Sequence, residues 1–294
     1  MISGTIVWVL AALGNSVLSA ANAEINRKFQ QEPFRLNMVR TGLAALCWFP
    51  LALIQQWPTG QEFYVAALFS GLVITYGNIV LNGLSAKLNG RVAVLHIPMK
   101  AIAIFAVWPL IDHNAWLHLT QEQPWQMATG ILFFAIMVAA INTMRQNDAS
   151  WSAMKALGPV IVFYTAADIV ARLQLVGGHD FSDKLIVYIF ISMVVSAVFS
   201  GMMLPWRPHP ERPILNPKLM QAAGWAAIIT MFNHVCFFMG LTLAPNPAYV
   251  SMIALLAPLW LLIYHRLAGI PDNASPWAGA ILVLASIGFL MVTL

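Results

Sequence analysis

The feature that most constrains this chain is a succession of ten apolar segments, separated by short connections that are rich in Pro, Gly, Asn and Asp. A helix needs about 20 mostly apolar residues to cross a lipid bilayer, and each segment is close to that length. The segments run approximately over Ile2–Ala23, Leu36–Gln56, Phe63–Leu84, Arg91–Ile111, Trp125–Thr143, Ala153–Val176, Leu185–Leu204, Met220–Leu243, Ala248–Leu267 and Trp277–Leu294. No connection is long enough to hold a soluble domain. The sequence therefore predicts an all-α integral membrane protein with ten transmembrane helices.

The composition agrees with a membrane environment and excludes several other classes of protein. Of the 294 residues, 60% are hydrophobic and 9% are charged, whereas soluble domains have about 45–50% and about 25%. A soluble globular domain, a disordered chain and a nucleic-acid-binding protein are therefore excluded. The first segment has no basic region before it and is long enough to span, so we interpret it as a retained helix rather than a signal peptide.

Basic residues are distributed unequally among the connections. The odd-numbered connections carry Arg27, Lys28, Arg35, Lys87, Arg91, Arg145, Arg207, Arg212, Lys218 and Arg266. The even-numbered connections carry only Arg172 and Lys184. Short loops rich in Lys and Arg stay in the cytoplasm, so we expect the odd-numbered connections to be cytoplasmic and both termini to be extracytoplasmic. The expected location is a bacterial inner (plasma) membrane.

Two motifs recur at corresponding places in the two halves of the chain. A proline in the fourth and ninth segments is followed fourteen residues later by an aspartate, and a Pro-Trp pair opens the fifth and tenth segments. The residues are Pro98, Asp112, Pro124 and Trp125 in the first half, and Pro258, Asp272, Pro276 and Trp277 in the second. Because five spans is an odd number, the second half enters the membrane from the opposite side. The pattern predicts two inverted five-helix repeats, residues 1–147 and 148–294, within one membrane domain.

This arrangement resembles the EamA-like branch of the drug/metabolite transporter superfamily. The stretch from Pro33 to Ala45 is similar to the usual proline of that family, followed by an arginine and small apolar residues. The resemblance implies a central cavity lined by helices one, three, four, six, eight and nine, with helices five and ten at the periphery. It also implies transport of a small metabolite by alternating access. Asp112 and Asp272 stand where many members have a glutamate, and the charges of the loops predict the opposite orientation in the membrane.

Lys100 is the charged residue predicted to lie deepest in the membrane. It follows Arg91 by nine residues, which corresponds to about 13–14 Å along a helix. His96 lies four residues earlier, on the same face, and Pro98 between them removes a backbone hydrogen bond. A cation at a broken helix is suited to bind a carboxylate or phosphate of a substrate. The alternative is an ion pair with a carboxylate on another helix that serves assembly only.

Three further charged residues lie within the apolar segments or at their ends. Asp168 is a partner for Lys100 or a proton-coupling carboxylate, or else it forms a local pair with Arg172, four residues later. Glu24 is expected to extend to the cytoplasmic edge, next to Arg27. Arg40, one turn into the second segment, is expected to reach the lipid headgroups.

Uncharged polar side chains supply further candidates for binding substrate, namely Asn15, Tyr76, Asn78 and His234. Amides in such positions also join helices by hydrogen bonds, and that alternative stays open for each. Asn78 and His234 lie on helices that the resemblance places around the cavity, and a histidine there would suit proton coupling.

Trp260 completes the predicted substrate site. It follows Pro258 by two residues, as Lys100 follows Pro98, so the repeat places an aromatic wall opposite the cation. Such a pair would suit an amphipathic organic anion.

The sequence thus favours a secondary active transporter or facilitator for a small polar or amphipathic metabolite, with an amino acid or other organic anion favoured. A membrane-embedded enzyme acting on lipid headgroups and a non-transporting membrane subunit are the alternatives. No sequence motif indicates a catalytic residue, a metal site or a cofactor. The expected partners are the substrate, the lipid bilayer and a proton, but no nucleic acid, and both a monomer and a homodimer remain open.

Overall fold

The computed structural model describes residues 2–87, 96–113, 117–122, 124–144, 151–176, 181–206, 216–270 and 275–293. Within these residues the protein is all-helical and contains no β-strand. The α-helices are α1 (Ile2–Phe29), α2 (Pro33–Leu53), α3 (Gln61–Lys87), α4 (His96–Ile111), α5 (Pro124–Met144), α6 (Trp151–Leu175), α7 (Phe181–Met203), α8 (Pro217–Leu243), α9 (Pro247–Ala254), α10 (Ala257–Leu267) and α11 (Pro276–Thr293). A π-helical turn at His118–Glu122 precedes α5, and a 3-10 turn at Leu204–Trp206 follows α7.

Seven helical segments in the described part of the chain are long and apolar enough to cross a membrane. They are Ile6–Phe29, Pro33–Leu53, Gln61–Ala86, Lys155–Leu175, Phe181–Met203, Pro217–Leu243 and Pro247–Leu267. Three shorter apolar helices are Met99–Ile111, Pro124–Ala140 and Trp277–Val292. These helices support the prediction of an all-α integral membrane protein.

Three helices, α2, α8 and α9, begin directly after a residue whose side chain caps the first turn. The side chain of Glu32 accepts hydrogen bonds from two backbone N–H groups of the first turn of α2, at 3.2 and 2.8 Å. Asn216 and Asn246 accept one each at the starts of α8 and α9, at 2.8 and 2.9 Å. A proline follows each cap directly, at the helix position where its missing N–H costs least. The connections can therefore be short.

The ninth predicted segment is two helices rather than one. Leu255 and Leu256 separate α9 from α10, and their N–H groups bond to carbonyls three residues back, at 3.1 Å each. Pro258 lies just after the break and has no N–H to continue the helical hydrogen bonds. In the apolar stretch of this segment 78% of the residues are buried, whereas the share is 33–44% in the other six candidate spans. The broken segment is therefore the innermost part of the bundle.

Each helix packs on a restricted set of neighbours. Extensive contacts join α1 to α8 and α9, α2 to α7 and α8, α3 to α6 and α7, α4 to α6 and α9, and α5 to α11. The largest apolar cluster lies where α9 and α10 meet α1, α4, α5 and α11, and a second cluster lies between α2, α3, α7 and α8. Small residues permit the closest approaches: a Cβ on Gly71 of α3 would lie 2.8 Å from the carbonyl oxygen of Ser192 in α7.

Side-chain contacts fix the relative directions of neighbouring helices. Near the start of α1, Trp8 contacts Tyr249 of α9 with ring centroids 6.4 Å apart. Further along both segments, Glu24 contacts His265 of α10. The segment α9–α10 is therefore parallel to α1. In contrast, Gly14 of α1 faces Cys236 of α8, whereas Ala12 faces Gly240, so α1 and α8 are antiparallel.

Candidate functional site

A polar cavity lies at the centre of the bundle, between α1, α2, α3, α4, α6, α8 and α9. Its volume is about 180 Å³, whereas one bound water needs about 10–15 Å³ on the same kind of measure. The polar residues that line it are Asn15, Ser19, Asn22, Asn26, Arg40, Ser70, Asn78, Asn82, Ser85, His96, Lys100, Tyr164, Asp168, Thr230, Asn233, His234 and Ser251. Apolar walls come from Ile74, Leu81, Ile97, Phe237 and Phe238. The cavity has room for a small organic molecule and can offer it both polar and aromatic contacts.

Six of the eight side chains predicted from the sequence line this cavity. They are Asn15, Asn78, His96, Lys100, Asp168 and His234. The tertiary structure brings them together from α1, α3, α4, α6 and α8. Their roles in binding substrate or coupling to a proton stay predictions.

The other two predicted residues, Trp260 and Tyr76, lie outside the lining of the cavity. The indole N–H of Trp260 donates to Ser16 Oγ of α1 at 2.9 Å, and the ring packs against the largest apolar cluster. Tyr76 is 39% exposed and makes an edge contact with Phe163, with ring centroids 5.7 Å apart. Trp260 thus joins helices beside the cavity, and Tyr76 faces outward from α3.

A buried ion pair joins α4 and α6 in the cavity wall. Lys100 Nζ lies 2.7 Å from Asp168 Oδ2, and both residues are less than one-tenth exposed. The two helices run parallel, so contacts repeat along them, with His96 beside Tyr164 before this pair and Trp108 beside Arg172 after it. The ring of Phe237 lies 4.9 Å from the same ammonium and adds a cation–π contact. The pair between Lys100 and Asp168 is one of the alternatives that the sequence left open.

Arg172 does not pair with Asp168. Its guanidinium instead donates to the carbonyl oxygens of Leu241 and Pro245, where α8 ends, and lies 5.1 Å from the ring of Trp108. These contacts tie α4, α6 and the end of α8 together at one end of the bundle.

Glu24 is buried near the end of α1, against a neighbouring helix. Only 8% of the residue is exposed. Its carboxylate accepts hydrogen bonds from Arg27 at 2.8 and 2.5 Å and lies 3.2 Å from His265 Nε2 of α10. The sequence placed Glu24 at the cytoplasmic edge next to Arg27; the contact with Arg27 is present, but α10 covers this face of α1 and buries the carboxylate.

Arg40 does not reach the headgroups, so that expectation is wrong. The residue is 1% exposed and belongs to the cavity lining. Nη2 donates to Asn37 Oδ1 at 2.6 Å, and Nη1 donates to Asn22 Oδ1 at 3.4 Å. These contacts place the side chain inside the bundle. The sequence placed Arg40 one turn into the second segment, a position that does not by itself indicate the direction in which the side chain extends.

Several buried polar atoms in the lining have no hydrogen-bond partner among the described residues. They are Arg40 Nε, Thr230 Oγ1, Asn233 Oδ1 and Ser251 Oγ, together with Asn82 Nδ2 and Ser85 Oγ toward the end of α3. Buried polar groups in native proteins are nearly always satisfied by protein, water or ligand. These atoms therefore mark the cavity as a site for water or a polar ligand. The described part of the chain holds no group of three or more His, Cys, Asp or Glu that could bind a metal ion.

Comparisons with known proteins define the fold of this chain but not its activity. No protein-family model matches it, and no curated protein does. A solved structure described only as "Crystal structure of protein" matches with a TM-score of 0.62 and 14% sequence identity. The match covers 99% of this chain and 95% of that chain. Because the identity is low, the likeness shows a shared fold over the full length and nothing about substrate.

Proposed function

We propose that this protein is a secondary active transporter or facilitator that moves a small polar or amphipathic metabolite by alternating access. An amino acid or other organic anion is the favoured substrate. The observation that carries the proposal is the polar cavity, with its buried pair of Lys100 and Asp168, inside an otherwise apolar bundle. Charged residues inside membrane segments are costly and mark substrate or ion pathways.

The position of the cavity supports this proposal. Asn15 lies about 20 Å from the start of α1, which is close to the middle of a 28-residue helix. Thr230 lies at the middle of α8, and Ser70 and Asn78 lie on either side of the middle of α3. A binding site near the midplane is the arrangement found in secondary transporters built from repeats.

The packing of the helices supports two inverted repeats, residues 1–147 and 148–294. In this scheme the α9–α10 segment counts as the ninth span and α11 as the tenth. In two such repeats, each span is equivalent to the span five places later. The contact of α1 with α8 is then equivalent to that of α6 with α3, and the contact of α4 with α6 is equivalent to that of the α9–α10 segment with α1. All four contacts are present. The contacts of α2 with α7 and of α5 with α11 map onto themselves.

The directions of the helices support ten membrane crossings with both termini outside the cytoplasm. Segments one and nine are parallel, whereas segments one and eight are antiparallel, as expected if every segment crosses the membrane. The basic connections then face the cytoplasm. In this scheme the protein lies in a bacterial inner membrane, is similar to EamA-like transporters and is either monomeric or dimeric.

Asp168 is the proposed site of proton coupling. Protonation of its carboxylate would release Lys100, whose ammonium lies 2.7 Å away. The cavity would then change its charge without any movement of the backbone. A facilitator without coupling needs no such step, so dependence on a proton gradient separates these two forms of the proposal.

The proposal is tested by uptake into proteoliposomes from a panel of labelled amino acids, organic acids, sugar phosphates and amines. We expect at least one solute to enter faster than into protein-free liposomes. Lys100→Met should abolish that uptake, and Asp168→Asn should abolish its stimulation by an imposed pH gradient. Lys218→Met is the matched control, because Lys218 is exposed at the start of α8.

Two outcomes would contradict the proposal. Uptake of no solute, together with turnover of lipid headgroups in detergent, would favour the enzyme. Uptake of no solute, together with stable association with another membrane protein, would favour the non-transporting subunit. Full uptake by Lys100→Met would agree with transport but would show that the pair of Lys100 and Asp168 is not part of the substrate site.

A further inference from the structure

Arg40 is a buried cation that has no carboxylate partner in the described part of the chain. We propose that its guanidinium binds a carboxylate of the transported molecule, so that the substrate is an organic monocarboxylate. This inference rests on the proposed function and deepens it, because it assigns the anion site to Arg40 and not to Lys100.

The surroundings hold the guanidinium in place without neutralising it. Asn37 Oδ1 accepts from Arg40 Nη2 at 2.6 Å, and the Asn37 amide is itself fixed by donating to Ser196 Oγ at 3.1 Å and Ser200 Oγ at 2.8 Å on α7. Asn22 of α1 supplies a second neutral acceptor. Residues of three helices, α1, α2 and α7, thus orient one charged group. A side chain that served only to join helices would not need its charge.

The guanidinium retains free hydrogen-bonding capacity. Arginine has five N–H donors, and the two bonds to asparagine side chains use one on Nη1 and one on Nη2. Nε has no partner among the described residues, although it is fully buried. Since Arg40 belongs to the lining of the cavity, a ligand in the cavity is the available acceptor for these donors.

The charged residues that line the described cavity have a net charge of one positive unit. The Arg, Lys, Asp and Glu residues of the described lining are Arg40, Lys100 and Asp168. The last two lie 2.7 Å apart and compensate each other, so the uncompensated charge is that of Arg40. One negative charge on the substrate would balance it. A dianion such as a phosphate monoester would leave an excess negative charge in a buried site.

The shape of the guanidinium favours a carboxylate among singly charged groups. Its planar fork matches the two oxygens of a carboxylate, and both hydrogen bonds are then charge-assisted. The aromatic rings of Phe237 and Phe238 on α8 also line the cavity. They would accommodate an apolar or aromatic body attached to the carboxylate.

The test compares acids with their uncharged amides on the full chain in lipid nanodiscs. The probes are phenylacetate against phenylacetamide and hexanoate against hexanamide, with phenyl phosphate as the dianion, and binding is measured by calorimetry. We expect at least one acid to bind about tenfold or more tightly than its amide. Arg40→Gln should remove that preference. Arg40→Lys, which keeps the charge but not the fork, should weaken the acid about tenfold.

Arg266→Gln is the matched control, because Arg266 is exposed on α10 and its loss should leave acid binding unchanged. If Arg40→Gln does not fold, the comparison of acid with amide on the wild-type protein still tests whether the site prefers a carboxylate. Equal binding of acid and amide, tighter binding of phenyl phosphate, no binding of either acid, or full acid binding by Arg40→Gln would each overturn the inference. Uptake of only neutral or cationic solutes by wild-type proteoliposomes would also overturn it, while leaving the proposed transport intact. Failure of all uptake would instead refute transport.

Discussion

Removing either member of the pair formed by Lys100 and Asp168 should destabilise the protein far more than removing both. Lys100→Met leaves a carboxylate buried without a counter-ion, and Asp168→Leu leaves an ammonium in the same position. The double variant replaces two charges with apolar side chains of similar length. Both residues are less than one-tenth exposed, so solvent screens their interaction little.

The magnitude follows from the geometry of the pair. At 2.7 Å and an effective dielectric constant of about 20, the Coulomb attraction is about 6 kcal/mol. Losing one partner of a buried pair costs about 3–5 kcal/mol, whereas replacing the whole pair by packed apolar groups is often neutral. We therefore expect about 3–5 kcal/mol for each single variant, less than about 2 kcal/mol for the double variant, and a coupling energy of at least about 4 kcal/mol.

The measurement is a titration of the purified protein in micelles with sodium dodecyl sulfate, followed by the loss of helical circular dichroism. The four proteins of the double-mutant cycle give the coupling free energy directly. Additive effects of the two single substitutions, or a double variant less stable than both singles, would refute the reasoning. Either result would mean that the two charges do not compensate each other in the folded protein.

Four further substitutions test the packing and the polar contacts. Gly71→Val should lower the free energy of unfolding by about 1–3 kcal/mol, because the new Cβ meets a backbone carbonyl of α7 at 2.8 Å. Gly224→Ala, whose Cβ meets no atom within 4 Å, should gain up to about 1 kcal/mol in the same titration; equal losses for both would contradict this account. Asn37→Ala should weaken acid binding with little change in amide binding, because Arg40 loses its fixed acceptor; an equal effect on both would show a general distortion. Arg172→Leu should speed hydrogen exchange at the end of α8, where two carbonyls lose their donor, and unchanged exchange would refute that role.

Much of the candidate site could be predicted from the sequence because charge within an apolar segment is rare. Lys100 and Asp168 stood out for that reason, and the depth of Lys100 along its helix placed it near the middle of the membrane. Arg40 has the same property but follows the start of α2 by only seven residues, a depth from which a long side chain can also reach the headgroups. The direction in which it extends depends on α7 and α8, which the local sequence does not specify.

The prediction for Trp260 shows a second limit. Matching positions in the two repeats put Trp260 opposite Lys100, but Trp260 does not line the cavity. Its indole instead donates to Ser16 of α1. Tyr76 shows the same problem on α3: it lies two residues from Asn78, which is on a different face of the helix. Which face turns inward was not evident, because these helices are apolar on most sides.

By itself the sequence determined that this chain is an all-α membrane protein, because apolar segments of about 20 residues leave helices as the structure that satisfies the backbone in lipid. It also supplied the few polar side chains that the membrane segments carry. The tertiary structure alone decided which of them meet. Lys100 pairs with Asp168 of α6, Glu24 contacts His265 of α10, and Arg40 lies in the cavity lining with no carboxylate partner among the described residues. The physical reason is that such pairings depend on the rotation and register of packed helices, which long-range contacts between residues far apart in the chain determine.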